Sequence, residues 1–541
     1  MKKILFFLLI SNFAFAQWSI SEAERSALIS LYNTTNGAGW SQAWDFEKDP
    51  KNWYGIKTKN GFVTEINLRG NVLSGNFPAN LSVFSKLEKL DLSSNNLTGE
   101  ISGGISGLTA LTRLDISHNR LSGDPSLMLS SLSNLEELSL GNNQFSVSDI
   151  NGFLQNFINT KVLDLANFGL TAVPQRLSAY NLIESLNLQN NSITDFSALS
   201  GKTTLKELNI SGNQLSAIPS AVSTLPNLTT LNLSNNAFTN NNLSGLANLT
   251  KLEWLSLEKN QLSGVPTELA GMAELIHLNL GRNLISGGLS ALQANQKLQQ
   301  LYLNNNLFEN EFPAEILQLE HLQMLSLVSN NLSGNIPSGV PALTFLENNK
   351  YTLAQLGNFL QLGNEMADFT YSPQRYDEPE TVYAPVGGSI SLTQSLSGDE
   401  YQYSWFRNLG ENIGVHVPVY SINSVEQEDY AQYTMEAYYL KNFPEYLLEV
   451  SFFREPITLE DGLGTEEINR GIGIYPNPTT DFLNIRSDNM KVESSAIYDL
   501  SGKLLFTSKE SKIDVKHLPS GVYMISLKTE QGFKTFKWIK H

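Results

Sequence analysis

The sequence predicts an α/β solenoid, a horseshoe with a parallel β-sheet on its concave face, followed by two small all-β sandwiches. Two observations carry that expectation for most of the chain, a phrase recurring every 22 to 25 residues from about Thr64 to Asn348 and strand-like alternation after Phe369; for the last segment it is what the resemblance of its motifs from Ile474 onward implies. At 541 residues the chain exceeds what one hydrophobic core organises, so a repeat array or several domains must divide it. Charged residues make up 16% and apolar ones 41%, the balance of folded modules rather than of a disordered chain.

The first element is a secretory signal over residues 1–16. Lys2 and Lys3 precede an apolar run from Ile4 to Ile10, and Ala14-Phe15-Ala16 forms a small-x-small cleavage site before Gln17. The run is too short to span a bilayer and no other stretch reaches about 18 apolar residues, so no transmembrane segment is expected in the mature chain. Loss of Lys2 and Lys3 moves the formal net charge from −17 to about −19, which argues against a nucleic-acid partner because phosphate binding needs concentrated Lys and Arg. With no cysteine, disulfides, thiolate metal sites and cysteine nucleophiles are excluded.

The repeat phrase is Leu-x-Leu-x-x-Asn. It closes on Asn71, Asn95, Asn119 and Asn143, then on Asn191, Asn213, Asn236, Asn260, Asn283, Asn306 and Asn330. The fifth copy, Leu163-Asp164-Leu165, carries Phe168 at the closing position, with Asn167 beside it as a candidate substitute. A degenerate thirteenth copy is read as Leu343-Thr344-Phe345 closing early on Asn348. Two leucines alternating with polar residues make a short strand with one buried face. The Asn amide answers turn backbone groups that would otherwise be buried without partners.

These copies resemble leucine-rich repeats, and the Leu-Ser-Gly and Ile-Pro phrases, as in Leu332-Ser333-Gly334-Asn335-Ile336-Pro337, resemble the plant type. The resemblance implies a solenoid over residues 61–351 of about thirteen repeats, with extended or 3₁₀ return segments on the convex side. Solenoid ends expose apolar faces and need caps. Residues 17–60 resemble the helical cap that precedes plant-type repeats, with Trp40, Trp44, Trp53 and Tyr54 expected to supply by burial what disulfides supply elsewhere. Residues 352–372 form the other cap and linker, with a short helix expected from Leu353 to Leu362.

Residues 373–460 resemble an immunoglobulin-like sandwich. Trp405 is followed by Asp429, Tyr433 and Met435 in an Asp-x-x-x-Tyr-x-Met phrase, and the spacing gives Tyr433 a tyrosine-corner role. After a polar linker over 461–473, residues 474–541 resemble the type A C-terminal sorting domain of the type IX secretion system. Pro476, Asn477, Pro478, Gly521, Tyr523, Lys537 and Lys540 carry that resemblance. It implies export by type IX machinery from a Bacteroidetes-type cell, removal of the domain, and a secreted or surface-attached product.

No catalytic constellation is evident. The six histidines form no metal-ligand pair on a helix, so neither a metal nor a cofactor is expected. Asp91 and Asp115 should lie about 5 Å apart on adjacent strands, as paired acids or a calcium site would. Short polar residues fill the same column throughout, however, and favour a solvated face. Between the ninth and twelfth repeats the concave positions become Trp254, His277, Tyr302, Met324 and Val328, a candidate ligand patch with Glu258 and Arg282 as a polar rim. The expected function is non-catalytic binding of an extracellular protein or glycan, as an adhesin or receptor. The alternatives are a glycan-active enzyme using Asp91 and Asp115, or a structural surface-layer component.

Overall fold

The computed structural model describes residues 18–361, 369–408, 410–444, 446–461, 472–477, 479–487, 491–499, 503–530 and 532–540. The signal segment 1–16, most of the linker 461–473, and Pro478 lie outside the described residues. The chain divides into two compact units, residues 1–374 with 440–450, and residues 375–439 with 451–541.

In the first unit a 14-stranded sheet runs in chain order. Its first pair, Ile56–Lys59 and Phe62–Asn67, is antiparallel, and every later pairing is parallel. Most strands are three residues long, because each copy supplies one alternation before its turn. The register aligns leucine on leucine: Leu231 with Leu255, Leu278 with Leu301. All four are fully buried. The return segments are mostly 3₁₀ turns such as Gln175–Ala179 and Thr267–Gly271. In the first four repeats the stretch after the ladder asparagine forms a second sheet, from Ser74–Asn76 to Gln144–Phe145.

The asparagines form the expected ladder. Asn260 Nδ2 donates to the carbonyls of Leu257, Glu258 and Leu233 at 2.9 to 3.2 Å, and its Oδ1 accepts from Phe238 N at 3.1 Å. Each Asn thereby stitches two consecutive turns. The residue before it adopts a left-handed backbone, as at Ser94, His118, Lys259 and Arg282, with φ from 52° to 56°.

Two repeat assignments need correction. Asn167 does not take over the ladder in the fifth copy: it occupies the left-handed turn position (φ 57°) with its side chain exposed, and Phe168 interrupts the ladder with its ring 6.2 Å from that of Phe145. A side chain one position early points out of the turn and cannot reach the carbonyls the ladder serves. In the thirteenth copy Thr344, not Leu343, pairs with Leu325 and points inward. Leu346 follows it into the core, and Asn349 rather than Asn348 donates to the Leu327 and Leu346 carbonyls. One residue of slip exchanges the faces of a strand, so Leu343 and Phe345 belong to the concave side.

Helix Glu22–Thr34 caps the first repeat, with Ser21 Oγ accepting from Glu24 N. Trp40, Trp44 and Trp53 are buried, and each indole N–H donates to a backbone carbonyl at 2.9 Å. Tyr54 is not part of this cluster. It is 46% exposed, and Tyr32 and Phe46 fill that place, with ring centroids 4.9 Å from Trp40 and 5.4 Å from Trp53. At the other end, helix Leu353–Gln361 buries Leu356, Phe359 and Leu360. Residues 440–450 pack with it: a Cβ on Gly357 would stand 3.6 Å from Leu448 Cδ2.

In the second unit, Gln402–Arg407 lies antiparallel to the first half of Gln432–Asn442, placing Trp405 opposite Met435, both fully buried. Tyr433 OH donates to the Asp429 carbonyl at 2.7 Å, four residues upstream. The C-terminal residues form a three-stranded and a four-stranded sheet. Leu483, Ile497, Ile513, Val515, Ile525, Leu527 and Trp538 fill the core they share.

Candidate functional site on the concave face

Parallel, in-register pairing turns sequence columns into spatial columns. Trp254, His277, Gln300 and Met324 occupy neighbouring places in one column, and Ser256, Asn279, Tyr302 and Ser326 in the next. Trp254 and His277 stack at 5.1 Å between centroids and 15° between planes. Tyr302 reaches across from its own column to lie 5.1 Å from His277. Three of the five expected patch residues therefore form a continuous aromatic row.

Met324 sits in the first column, one strand beyond Gln300, and Val328 four residues further along its own chain. Neither belongs to the ring stack. The corrected register adds Leu343 beside Met324 and Phe345 beside Ser326, both half-buried. Spacing alone does not single them out, because Leu343-Thr344-Phe345 closing on Asn348 mimics the repeat phrase one residue out of step. The signal was present in Thr344-x-Leu346-x-x-Asn349, which keeps the spacing of every other copy.

His277 Nδ1 lies 2.9 Å from Gln300 Oε1, so its N–H donates there. Burial among the neighbouring rings lowers its pKa despite that hydrogen bond, which keeps the imidazole neutral and able to stack. Glu258 stands beside the row, 3.6 Å from Arg282 and accepting from Asn279 Nδ2 at 3.1 Å. Arg282 is exposed, so the rim pair contributes about 0–1 kcal/mol to stability and chiefly shapes the local charge.

On the other side of Trp254 the sheet carries a hollow of about 400 Å³. Ser185, Asn187, Glu207, Asn209, Thr230 and Asn232 line it, with Trp254 as its end wall. His277, on the strand after Trp254, stacks on one face of the indole, and the hollow lies over the strands before it, on the side of the opposite face.

The acidic columns lie nearer the N-terminal end. Asp91 and Asp115 are register partners, as expected. Each accepts from the backbone and hydroxyl of its own turn: Asp91 from Ser93 at 3.0 and 2.6 Å, and Asp115 from Ser117 at 3.1 and 2.7 Å. Burial, with Asp91 nearby, raises the Asp115 pKa. Asp164 is pushed up to about 6 by burial, with Asp115 adding to the effect. Among the described residues no group of three or more acids or histidines is arranged to hold a metal.

The sorting motif folds into the C-terminal sheets. Asn477 Nδ2 donates to the Lys537 carbonyl at 3.2 Å and its Oδ1 accepts from Ile539 N at 2.9 Å, tying the entry turn to the last strand. Pro476 precedes it in that exposed turn. Tyr523 stacks on Trp538 at 5.1 Å and donates to the Pro519 carbonyl at 2.8 Å. Gly521 pairs with Lys540, whose side chain is buried, while that of Lys537 is exposed.

Comparisons with known proteins agree on both regions. A leucine-rich repeat region matches residues 67–273, and a secretion system C-terminal sorting domain matches residues 473–541. The chain thus carries a leucine-rich-repeat region and a type IX sorting domain, which directs it to export and cell-surface attachment. Among solved structures, an internalin from Listeria monocytogenes is 29% identical, with 51% of this chain and 87% of that chain covered and a TM-score of 0.39. A leucine-rich-repeat protein from Leptospira interrogans is also 29% identical, over 55% of this chain and 81% of that one, with a TM-score of 0.43. An ulvan lyase from Nonlabens ulvanivorans is 39% identical over 61 residues, 10% of this chain and 11% of the enzyme. The chain therefore spans only about a ninth of that curated relative. No helix among the described residues is long and apolar enough to cross a membrane.

Proposed function

We propose that the chain is a non-catalytic surface binding protein, an adhesin or receptor whose concave sheet grips an extracellular protein or glycan. The observation that carries this reading is the stacked row Trp254–His277–Tyr302 on a face whose other repeats carry mostly short polar side chains. Aromatic rings half-exposed to water cost solubility and supply large contact area with little conformational entropy to lose, which is why such residues concentrate at binding hot spots. Met324, Leu343 and Phe345 extend the apolar surface towards the C-terminal cap. The paired acids are read as structural, since the carboxylates of Asp91 and Asp115 are engaged by the serines of their own turns.

The test is capture of labelled cell-surface and matrix fractions by the exported protein and by a Trp254→Ala, Tyr302→Ala double variant. Binding is expected to fall in the variant while its thermal unfolding stays close to the parent. Undiminished binding would reject the aromatic row as the site. Turnover of a polysaccharide panel, lost on Asp91→Asn or Asp115→Asn, would instead overturn the non-catalytic reading.

A further inference from the structure

The hollow beside Trp254 has a composition that selects among the ligands a concave sheet could take. Its floor spans four neighbouring strands, roughly 14 Å across at about 4.8 Å per strand. The volume of about 400 Å³ lies within the usual range of small-molecule sites, about 300–1,000 Å³. Amides dominate its polar lining, from Asn187, Asn209 and Asn232, with the single carboxylate of Glu207. No Lys or Arg lines it.

Hydrogen-bonding capacity is left over. Asn232 Oδ1 accepts from Ser234 N and Oγ at 3.0 and 2.7 Å, which fixes the amide and leaves Nδ2 without a partner among the described residues. Glu207 Oε2 accepts from Ser185 Oγ at 2.8 Å, which leaves its other oxygen open. The Trp254 indole N–H is likewise unpaired among the described residues. At the end of this row stands the free face of the Trp254 indole, braced from behind by His277.

We propose that this hollow binds a neutral carbohydrate chain, with one sugar ring stacked on the free face of Trp254 and its hydroxyls read by Asn232 and Glu207. This inference rests on the concave-face binding function proposed above and names its ligand class. A pyranose ring presents a face of C–H groups, which the negative face of an indole attracts, and a rim of hydroxyls that both donate and accept. A fixed amide N–H and a carboxylate oxygen beside an aromatic wall match that pattern. Sulfated or uronate chains are disfavoured, because the only charge lining the hollow is negative and nothing there offsets the desolvation of an anion.

Isothermal titration of the full exported protein with cellohexaose, xylohexaose, mannohexaose and laminarihexaose tests the assignment, with a carrageenan oligosaccharide as the anionic probe. At least one neutral hexaose is expected to bind. Trp254→Ala should weaken it about tenfold or more, Trp254→Phe should restore most of the affinity, and Asn232→Ala should weaken it severalfold. Preference for carrageenan, or neutral binding indifferent to Trp254, overturns the inference. If no hexaose binds while capture of a protein partner still depends on Trp254, the carbohydrate is wrong and the binding function stands. If neither depends on Trp254, both fall.

Discussion

At position 164, the last residue of the strand Val162–Asp164, a half-buried carboxylate is crowded by the neighbouring repeat. Gly141, in the turn after the neighbouring strand Glu137–Ser139, leaves the space that this carboxylate fills, since a Cβ there would stand 2.5 Å from Oδ1. Burial raises the Asp164 pKa to about 6 from an ordinary 3.8, so the folded state holds a proton that the unfolded chain releases between those values. Stability from this group is present at low pH and is lost as pH rises through about 6. Asp164→Asn, which keeps the oxygen that accepts from Ala166 N, should therefore raise the melting temperature at pH 8 and change it little at pH 4. Equal shifts at both values would refute the buried-acid account. The ladder predicts a loss in the opposite direction. Asn260→Ala strips three carbonyls and one N–H of their partner and should cost about 2–3 kcal/mol in chemical unfolding.

Single strands and caps behave as units above these residues. The strand of the thirteenth copy owes its register to Thr344 and Leu346, both fully buried, with Thr344 Oγ1 donating to the Pro341 carbonyl at 2.7 Å. Leu346→Ala should destabilise by about 2–5 kcal/mol, whereas Leu343→Ser and Phe345→Ser should alter unfolding far less because they face the concave side. The reverse ranking would restore the unshifted register. At the N-terminal cap, Trp44 contacts Trp40 and Trp53 at 5.0 and 4.9 Å and donates to the Tyr54 carbonyl. Trp44→Ala should cost about 3–5 kcal/mol, and hydrogen exchange should rise first in the adjoining repeats, since each solenoid repeat is stabilised only by its neighbours.

At the scale of the whole molecule, the proposed binding and the addressing fall in separate regions. The repeats carry the aromatic row and the hollow, and residues 473–541 carry the export signal. Deleting 473–541 should leave the chain absent from the cell surface by fractionation, while Trp254→Ala should leave surface display intact. Loss of display in the second variant would mean that the concave face also serves export. The repeat period, the ladder asparagines, the sorting motif and the aromatic departure at Trp254, His277 and Tyr302 were all legible in the chain, because each follows from local spacing that repeated stacking preserves. Facing at the irregular thirteenth copy, the exposure of Tyr54, the outward turn of Asn167 and the hollow beside Trp254 emerged only from the folded sheet. Those depend on which side chain a neighbouring strand leaves room for, and spacing along one strand does not encode the space left by the next.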